Sequence, residues 1–233
     1  TLTIEVDSTE EGEGTAVNAN TVVLNGTPVW AKAEANTGYK NAVLTIGGQT
    51  KTASGTATTI TGNTAIASTA TAQTYTVTYN KNATDATGTM SNGTATYNEN
   101  FTPAANGFTR TGYTFNGWNT AANGSGTAWT AGTAKKYETA GNTTLYAQWT
   151  EHTYTIAFNN NGGTGTMSSI SNVKYSESKT LTTNTFTRTG YTFKGWATSA
   201  ANANAGTIAH NNGATVSGLT ATNGATVNLY AQW

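Results

Sequence analysis

The sequence contains no cysteine. Disulfide bridges, thiol nucleophiles and cysteine-ligated metals are therefore excluded, and the fold must be held by non-covalent contacts. Charge is scarce as well. Eleven Lys and Arg face eleven Asp and Glu in 233 residues, for a net charge of zero. Nucleic-acid binding draws on Lys and Arg that neutralise phosphates, so no nucleic-acid partner is expected. An anionic bilayer surface attracts basic segments by the same force and is disfavoured on the same ground. No apolar run approaches the roughly 18 residues of a membrane-spanning helix, so no membrane insertion is expected within this segment. No charged-then-apolar leader opens the chain, and the signal or anchor of an exported parent protein is expected outside these residues.

Low charge combined with modest hydrophobicity can signal disorder. Six Trp, eleven Tyr and six Phe argue otherwise, because they recur in register. Phe108-Thr-Arg-Thr-Gly-Tyr-Thr-Phe-Asn-Gly-Trp118 returns as Phe186-Thr-Arg-Thr-Gly-Tyr-Thr-Phe-Lys-Gly-Trp196, with a single difference, Asn116 against Lys194. Each copy is followed by a Leu-Tyr-Ala-Gln-Trp ending, Leu145–Trp149 and Leu229–Trp233. A duplication of this kind sets the domain plan. Residues 74–150 and 151–233 are read as two repeat modules, and residues 1–73 as a diverged, repeat-like β module. The linker, about Thr150–His152, is short, so the modules are expected to form a semi-rigid string.

The local pattern is that of strands and turns. Leu2, Ile4 and Val6 alternate with polar residues, as do Tyr75, Val77 and Tyr79, and Tyr154, Ile156 and Phe158, which is the period of a half-buried strand. Val22-Val23-Leu24 runs into Asn25-Gly26, and Ala42–Ile46 into Gly47-Gly48, both turn signals. No segment shows sustained helical periodicity, and the pieces around Phe101–Asn106 and Ala134–Thr139 could make a turn or two of helix at most. The fold class is mainly β (α+β at most). In the repeated stretch Gly112 is expected to take a positive φ. Tyr113 and Phe115 point to one face, and a bulge at Gly117 could bring Trp118 round to join them. Tyr113, Phe115, Trp118, Leu145 and Trp149, with Tyr191, Phe193, Trp196, Leu229 and Trp233, are assigned to the core. Burying one such side chain contributes about 2–3 kcal/mol, a large share of a small module's stability.

The pattern Gly-Tyr-Thr-Phe-x-Gly-Trp followed by Leu-Tyr-Ala-Gln-Trp resembles the Listeria–Bacteroides repeat, also called the internalin B-repeat. The resemblance covers about 74–149 and 153–233. It implies tandem small β-grasp-like modules, mixed sheets with little helix, and a bacterial, mostly Gram-positive, cell-surface or secreted protein. In that family the repeats are stalk or adhesion modules, and no catalytic residue carries over. The expected role is a non-catalytic spacer that presents an adhesive region. The alternative is a module that binds host glycan or protein through loop aromatics and Asn/Thr-rich loops. Trp129 and Tyr137 are the large side chains in the variable loop and the candidates for partner binding. Other modules of the same protein are a further possible partner.

Candidates for chemistry are few. His152 and His210 lie in a linker and a loop, and neither has a counterpart in the other copy. Glu99, Glu138 and Glu177 are scattered, whereas a glycosidase needs two acids across one cleft. No enzyme activity and no cofactor are expected. The acidic stretch Asp7, Glu10, Glu11 and Glu13 could offer oxygens to calcium but lacks the spacing of a calcium loop; it reads as an exposed turn, and no metal is assigned. A Lys–Asn isopeptide cross-link would need a buried lysine, and the lysine positions do not repeat between the copies.

Overall fold

The computed structural model describes residues Thr1–Trp233. Residues 1–73 carry seven strands: β1 (Leu2–Val6), β2 (Thr15–Ala16), β3 (Pro28–Ala33), β4 (Tyr39–Ile46), β5 (Gln49–Lys51), β6 (Thr56–Thr59) and β7 (Ile66–Ala72). They form two antiparallel sheets, ordered β2-β1-β3-β6 and β5-β4-β7. Ile4, Val29, Ala31, Ala33, Leu44, Ile46 and Ile60 form the core of this region. Gly47 and Gly48 turn β4 into β5 with φ of 57° and 77°, the two positive values that a type I′ turn requires. Val22–Leu24 is not a strand, and Val22 is 94% exposed.

The middle copy contains β8 (Thr74–Asn80), β9 (Gly93–Thr96), β10 (Asn100–Phe101), β11 (Tyr113–Asn119), β12 (Ala128–Trp129), β13 (Lys135–Lys136) and β14 (Thr143–Glu151). The last copy contains β15 (Thr153–Asn159), β16 (Ile170–Lys174), β17 (Lys179–Thr180), β18 (Gly195–Ala197), helix α1 (Ala200–Asn204), β19 (Thr215–Val216) and β20 (Thr226–Gln232). The sheets run β12-β11-β14-β8-β9 and β18-β20-β15-β16, the same plan built twice. In the last copy the first and final strands are parallel, with Ile156 opposite Val227 and Phe158 opposite Leu229. Their neighbours are antiparallel, so the sheet is mixed. Residues 1–73 differ, since all their pairings are antiparallel.

Contacts divide the chain into two compact units. One comprises Thr1–Asn80, Ser91–Ala105 and Trp129–Leu145; the other Lys81–Met90, Asn106–Ala128 and Tyr146–Trp233. The first adds to its aliphatic core an aromatic cluster. Phe101 meets Trp129 and Tyr137 edge-on at 5.9 and 6.2 Å, and Tyr75 lies 6.3 Å from Tyr137.

The second unit contains one aromatic arrangement twice. In β11 the register slips between Phe115, opposite Trp149, and Trp118, opposite Ala147. Asn116 and Gly117 on one strand oppose Gln148 alone on the other, so one extra residue is inserted. Side chains alternate along a strand. The insertion therefore puts Phe115 and Trp118 on the same face as Ala147 and Trp149. Gly117 at φ 112° absorbs the bend. Phe115 then lies 4.8 Å from Trp118 and 5.9 Å from Trp149. Phe193 lies 4.9 Å from Trp196 and 5.9 Å from Trp233. Phe108 and Phe186 each meet the central indole edge-on, at 6.1 and 6.2 Å. The closing indole donates to a backbone carbonyl in both copies, Trp149 Nε1 to Lys81 O at 2.8 Å and Trp233 Nε1 to Asn160 O at 2.9 Å.

Asparagine fixes the loop beside it. Asn82 and Asn161 adopt φ of 53° and 43°, a conformation asparagine tolerates better than most residues. Each then donates its amide to the alanine carbonyl of the ending, Ala147 O and Ala231 O, at 3.0 Å.

Two expectations are corrected. Neither Phe101–Asn106 nor Ala134–Thr139 is helical; the one helix is α1. Ser199 caps it by accepting from Asn202 N at 3.1 Å, the usual role of a serine ahead of an alanine run. Tyr191 is not core but 57% exposed, and only Gly195–Ala197 of its stretch is strand. In the middle copy Tyr113 and Thr114 pair with Glu151 and Thr150, which follow the ending. In the last copy the pairing with the ending strand begins only at Gly195, opposite Gln232.

Trp196 is fully buried, so Trp196→Ala is expected to cost roughly 3–5 kcal/mol by chemical denaturation. Tyr191→Ala should stay within about 0.5 kcal/mol.

Candidate functional site

The two residues named for partner binding lie inside the protein. Trp129 is 7% exposed and Tyr137 1%. The Tyr137 hydroxyl donates to Gly141 O at 2.7 Å, and Thr143 Oγ1 lies 2.6 Å away. Lys135 Nζ sits 5.1 Å from the centre of the Trp129 ring. Both residues therefore serve packing and present no free ring face. The loop that carries them looked variable and polar in sequence because its large side chains fold inward.

Some of the remaining candidates have structural partners. Glu177 forms an ion pair with Lys179 at 3.3 Å. His210 exchanges backbone hydrogen bonds with Trp196, at 2.8 and 3.0 Å. In the acidic stretch Glu11 pairs with Lys32 at 3.1 Å, and no three acidic or histidine side chains converge on a common point. No lysine is buried.

What the structure does bring together is a set of residues at the ends of the modules. One such junction lies in each unit. In the first, Gln73 links β7 to β8. Its N–H donates to Gly38 O at 2.8 Å, and its carbonyl accepts from Tyr97 N at 2.9 Å. In the second, His152 links β14 to β15. Its N–H donates to Gly112 O at 2.8 Å, and its carbonyl accepts from Tyr175 N at 3.0 Å. A linker residue is thus clamped in the same way twice, between a Thr-Gly-Tyr turn behind it and a hairpin tyrosine ahead.

The tyrosine ring makes the clamp specific. Tyr97 lies flat against Gly38, and Tyr175 against Gly112. A Cβ on either glycine would overlap the ring. These glycines carry φ of 84° and 78°, so both backbone conformation and space require the missing side chain. The neighbouring tyrosine of each turn then meets the ring edge-on, Tyr39 with Tyr97 at 5.4 Å and Tyr113 with Tyr175 at 6.4 Å. Such pairs contribute about 0.5–1.5 kcal/mol beyond their buried area.

Polar contacts complete each junction. Asn98 donates to the Tyr39 hydroxyl at 3.2 Å. At the second junction Glu151 Oε1 accepts from Ser176 Oγ at 2.5 Å, from Ser176 N at 2.8 Å and from the Tyr113 hydroxyl at 3.2 Å. The Ser176 hydroxyl, then the Ser176 N–H and Tyr113, favour the ionised carboxylate and hold its pKa below the ordinary 4.5. His152 Nδ1 lies 2.6 Å from Ala221 O and Nε2 2.7 Å from Thr114 Oγ1. A carbonyl can only accept, so Nδ1 is the donor to Ala221 O, and Nε2 shares a hydrogen bond with the threonine hydroxyl.

This geometry occurs twice along the chain, at Gln73 and at His152. The model of the Listeria–Bacteroides repeat domain matches residues 75–148 and 154–232. The chain belongs to the Listeria–Bacteroides repeat family. A protein of Evansella cellulosilytica, named as a Gly-rich membrane protein, is 37% identical over 100 residues. The matched stretch is 39% of this chain and 11% of that curated relative's length. No solved structure matches the chain. The Listeria–Bacteroides matches cover the two copies that share a sheet plan. Residues 1–73 fall outside them. In them β4 and β7 align Tyr39 with Ala72 and Lys40 with Thr71, and slip register before Val43.

Gly112→Ala is expected to destabilise by more than Gly190→Ala in the same thermal melt. Gly190 has φ 77° and no atom near an added Cβ, so its substitution carries only the backbone strain of about 1 kcal/mol. Glu151 also predicts an acid dependence. Because its folded pKa is lowered, its contribution is complete above the ordinary value and declines as pH falls below about 4.5 through the folded value. Glu151→Gln should flatten that part of the stability–pH curve, read by denaturant midpoints from pH 6 down to 3.

Proposed function

We propose that this chain is a non-catalytic spacer region of a bacterial cell-surface or secreted protein, in which Listeria–Bacteroides repeats hold an adhesive region away from its anchor. The twice-built junction carries this reading. A module serving only a local binding site needs no defined orientation toward its neighbour. A spacer does, and a linker residue fixed by two backbone hydrogen bonds and a tyrosine on glycine limits swivelling at each joint. Family membership and the relative's printed name favour the cell surface as the setting.

The chain's composition suits the role. Few charges leave little to be screened, so the joints should hold over a wide range of ionic strength. Thr- and Asn-rich faces supply solubility without net charge. The division proposed here is 1–73, 74–150 and 151–233, with Gln73 and His152 as the joints. Glycan stacking by Trp129 and Tyr137 has no support, because both rings are buried.

Tyr175→Ala should increase flexibility at His152 while leaving the flanking sheets folded. Amide relaxation would show raised mobility at residues 150–153 and 175–177 with the Trp196 core unchanged. Unchanged mobility would remove the junction as the basis for a spacer. Antibody labelling of intact cells producing the full-length parent protein tests the location, and labelling only after lysis would refute it.

A further inference from the structure

The Thr-Gly-Tyr turn occurs three times, at 37–39, 111–113 and 189–191, and two of the three are covered. Gly38 and Gly112 each lie under a tyrosine from the hairpin ahead, whereas nothing approaches the Cβ position of Gly190. Tyr191, the counterpart of Tyr39 and Tyr113, is 57% exposed.

The bare turn already has the shape of a covered one. Tyr191 N donates to Arg188 O at 3.1 Å, as Tyr113 N does to Arg110 O at 3.2 Å. The Arg188 guanidinium lies 4.1 Å from the Tyr191 ring centre, and that of Arg110 3.6 Å from the Tyr113 ring. Gly190 and Gly112 share their backbone conformation, at φ 77° and 78°. One ring face is thus held by arginine in both cases, while the Gly190 side stays open. A surface already in its bound conformation loses little entropy on docking.

We propose that Gly190 and Tyr191, with Arg188 behind them, form a docking face for a further Listeria–Bacteroides repeat placed in line after Trp233. Its linker residue would donate to Gly190 O, and its hairpin would lay a tyrosine, equivalent to Tyr97 and Tyr175, on Gly190. Residues following Trp233 would pair with Tyr191 and Thr192, as Glu151 and Thr150 pair with Tyr113 and Thr114. A second copy of this chain is a poorer occupant, because its Tyr97 and Tyr175 already cover its own glycines. The inference rests on the spacer reading only in taking repeats to follow one another in line. That reading is tested at His152 and Tyr175, so the two can fail separately.

The test is a chain in which a second copy of residues 150–233 follows Trp233, compared with the original chain by hydroxyl-radical footprinting and mass spectrometry. Labelling of Tyr191 is expected to fall at least fivefold on extension. It should return when the appended copy's counterpart of Tyr175 is changed to alanine. Gly190→Ala should also lower the melting temperature of the extended chain by more than that of the original. Tyr191 labelling that stays unchanged, with the appended repeat's central tryptophan protected and hence folded, would overturn the proposal. So would protection of Tyr191 in the original chain that rises with protein concentration, since that places a second copy on the face.

Discussion

The burial of one indole per repeat is the constraint from which the rest of the structure follows. A module of about eighty residues has little volume for a core, and this chain has no disulfide to supplement it. Trp118 and Trp196 fill that volume, but a regular strand would turn them away from Phe115 and Phe193. In the middle copy the residue inserted before Trp118 reverses its direction, and Gly117 lets the backbone bend. Phenylalanines pack around the indole, and the closing tryptophan of the ending strand lies against them with its nitrogen bonded to a loop carbonyl. Loss of the bulge would put the largest side chain of the module into water.

The same strand serves the joint. Its first residues, Thr-Gly-Tyr, lie beyond the indole cluster and at the edge of the module. Glycine there leaves a flat place where a neighbouring tyrosine can lie, and the linker residue ties both sides by backbone hydrogen bonds. The near-identity of residues 108–118 and 186–196 therefore has two sources. The Phe-x-Gly-Trp half is held by the core, and the Arg-Thr-Gly-Tyr half by the joint. The asymmetry between Tyr113, covered by Tyr175, and Tyr191, exposed, separates the two roles within one motif. Polar side chains tune the joint further. Glu151 gathers three donors at the second junction, while Asn98 reaches Tyr39 at the first.

Much of this was legible in the order of residues. Duplication, alternation and Gly-containing turns point to β modules, their number and the positions of Gly112 and Trp118. The aromatic loop residues were not legible. Trp129 and Tyr137 stand among Asn, Gly, Ala and Thr, a composition that reads as exposed, yet Phe101 and Tyr75 from distant strands enclose them. Helix α1 followed a signal present in the chain, a serine ahead of Ala-Ala-Asn-Ala, that the dominant strand pattern obscured.

Sequence by itself determined the mainly β class, the two-copy plan, the absence of thiol chemistry and which tryptophan, phenylalanine and glycine types recur, because each depends on composition, period or local backbone freedom. Only the tertiary structure decided which aromatics face inward, which tyrosine meets which glycine, and that Gln73 and His152 perform one task with unlike side chains. Those outcomes depend on residues some 20 to 65 positions apart meeting in space, and backbone atoms carry the task shared by Gln73 and His152. No pattern of side chains along the chain records a hydrogen bond made by the backbone alone.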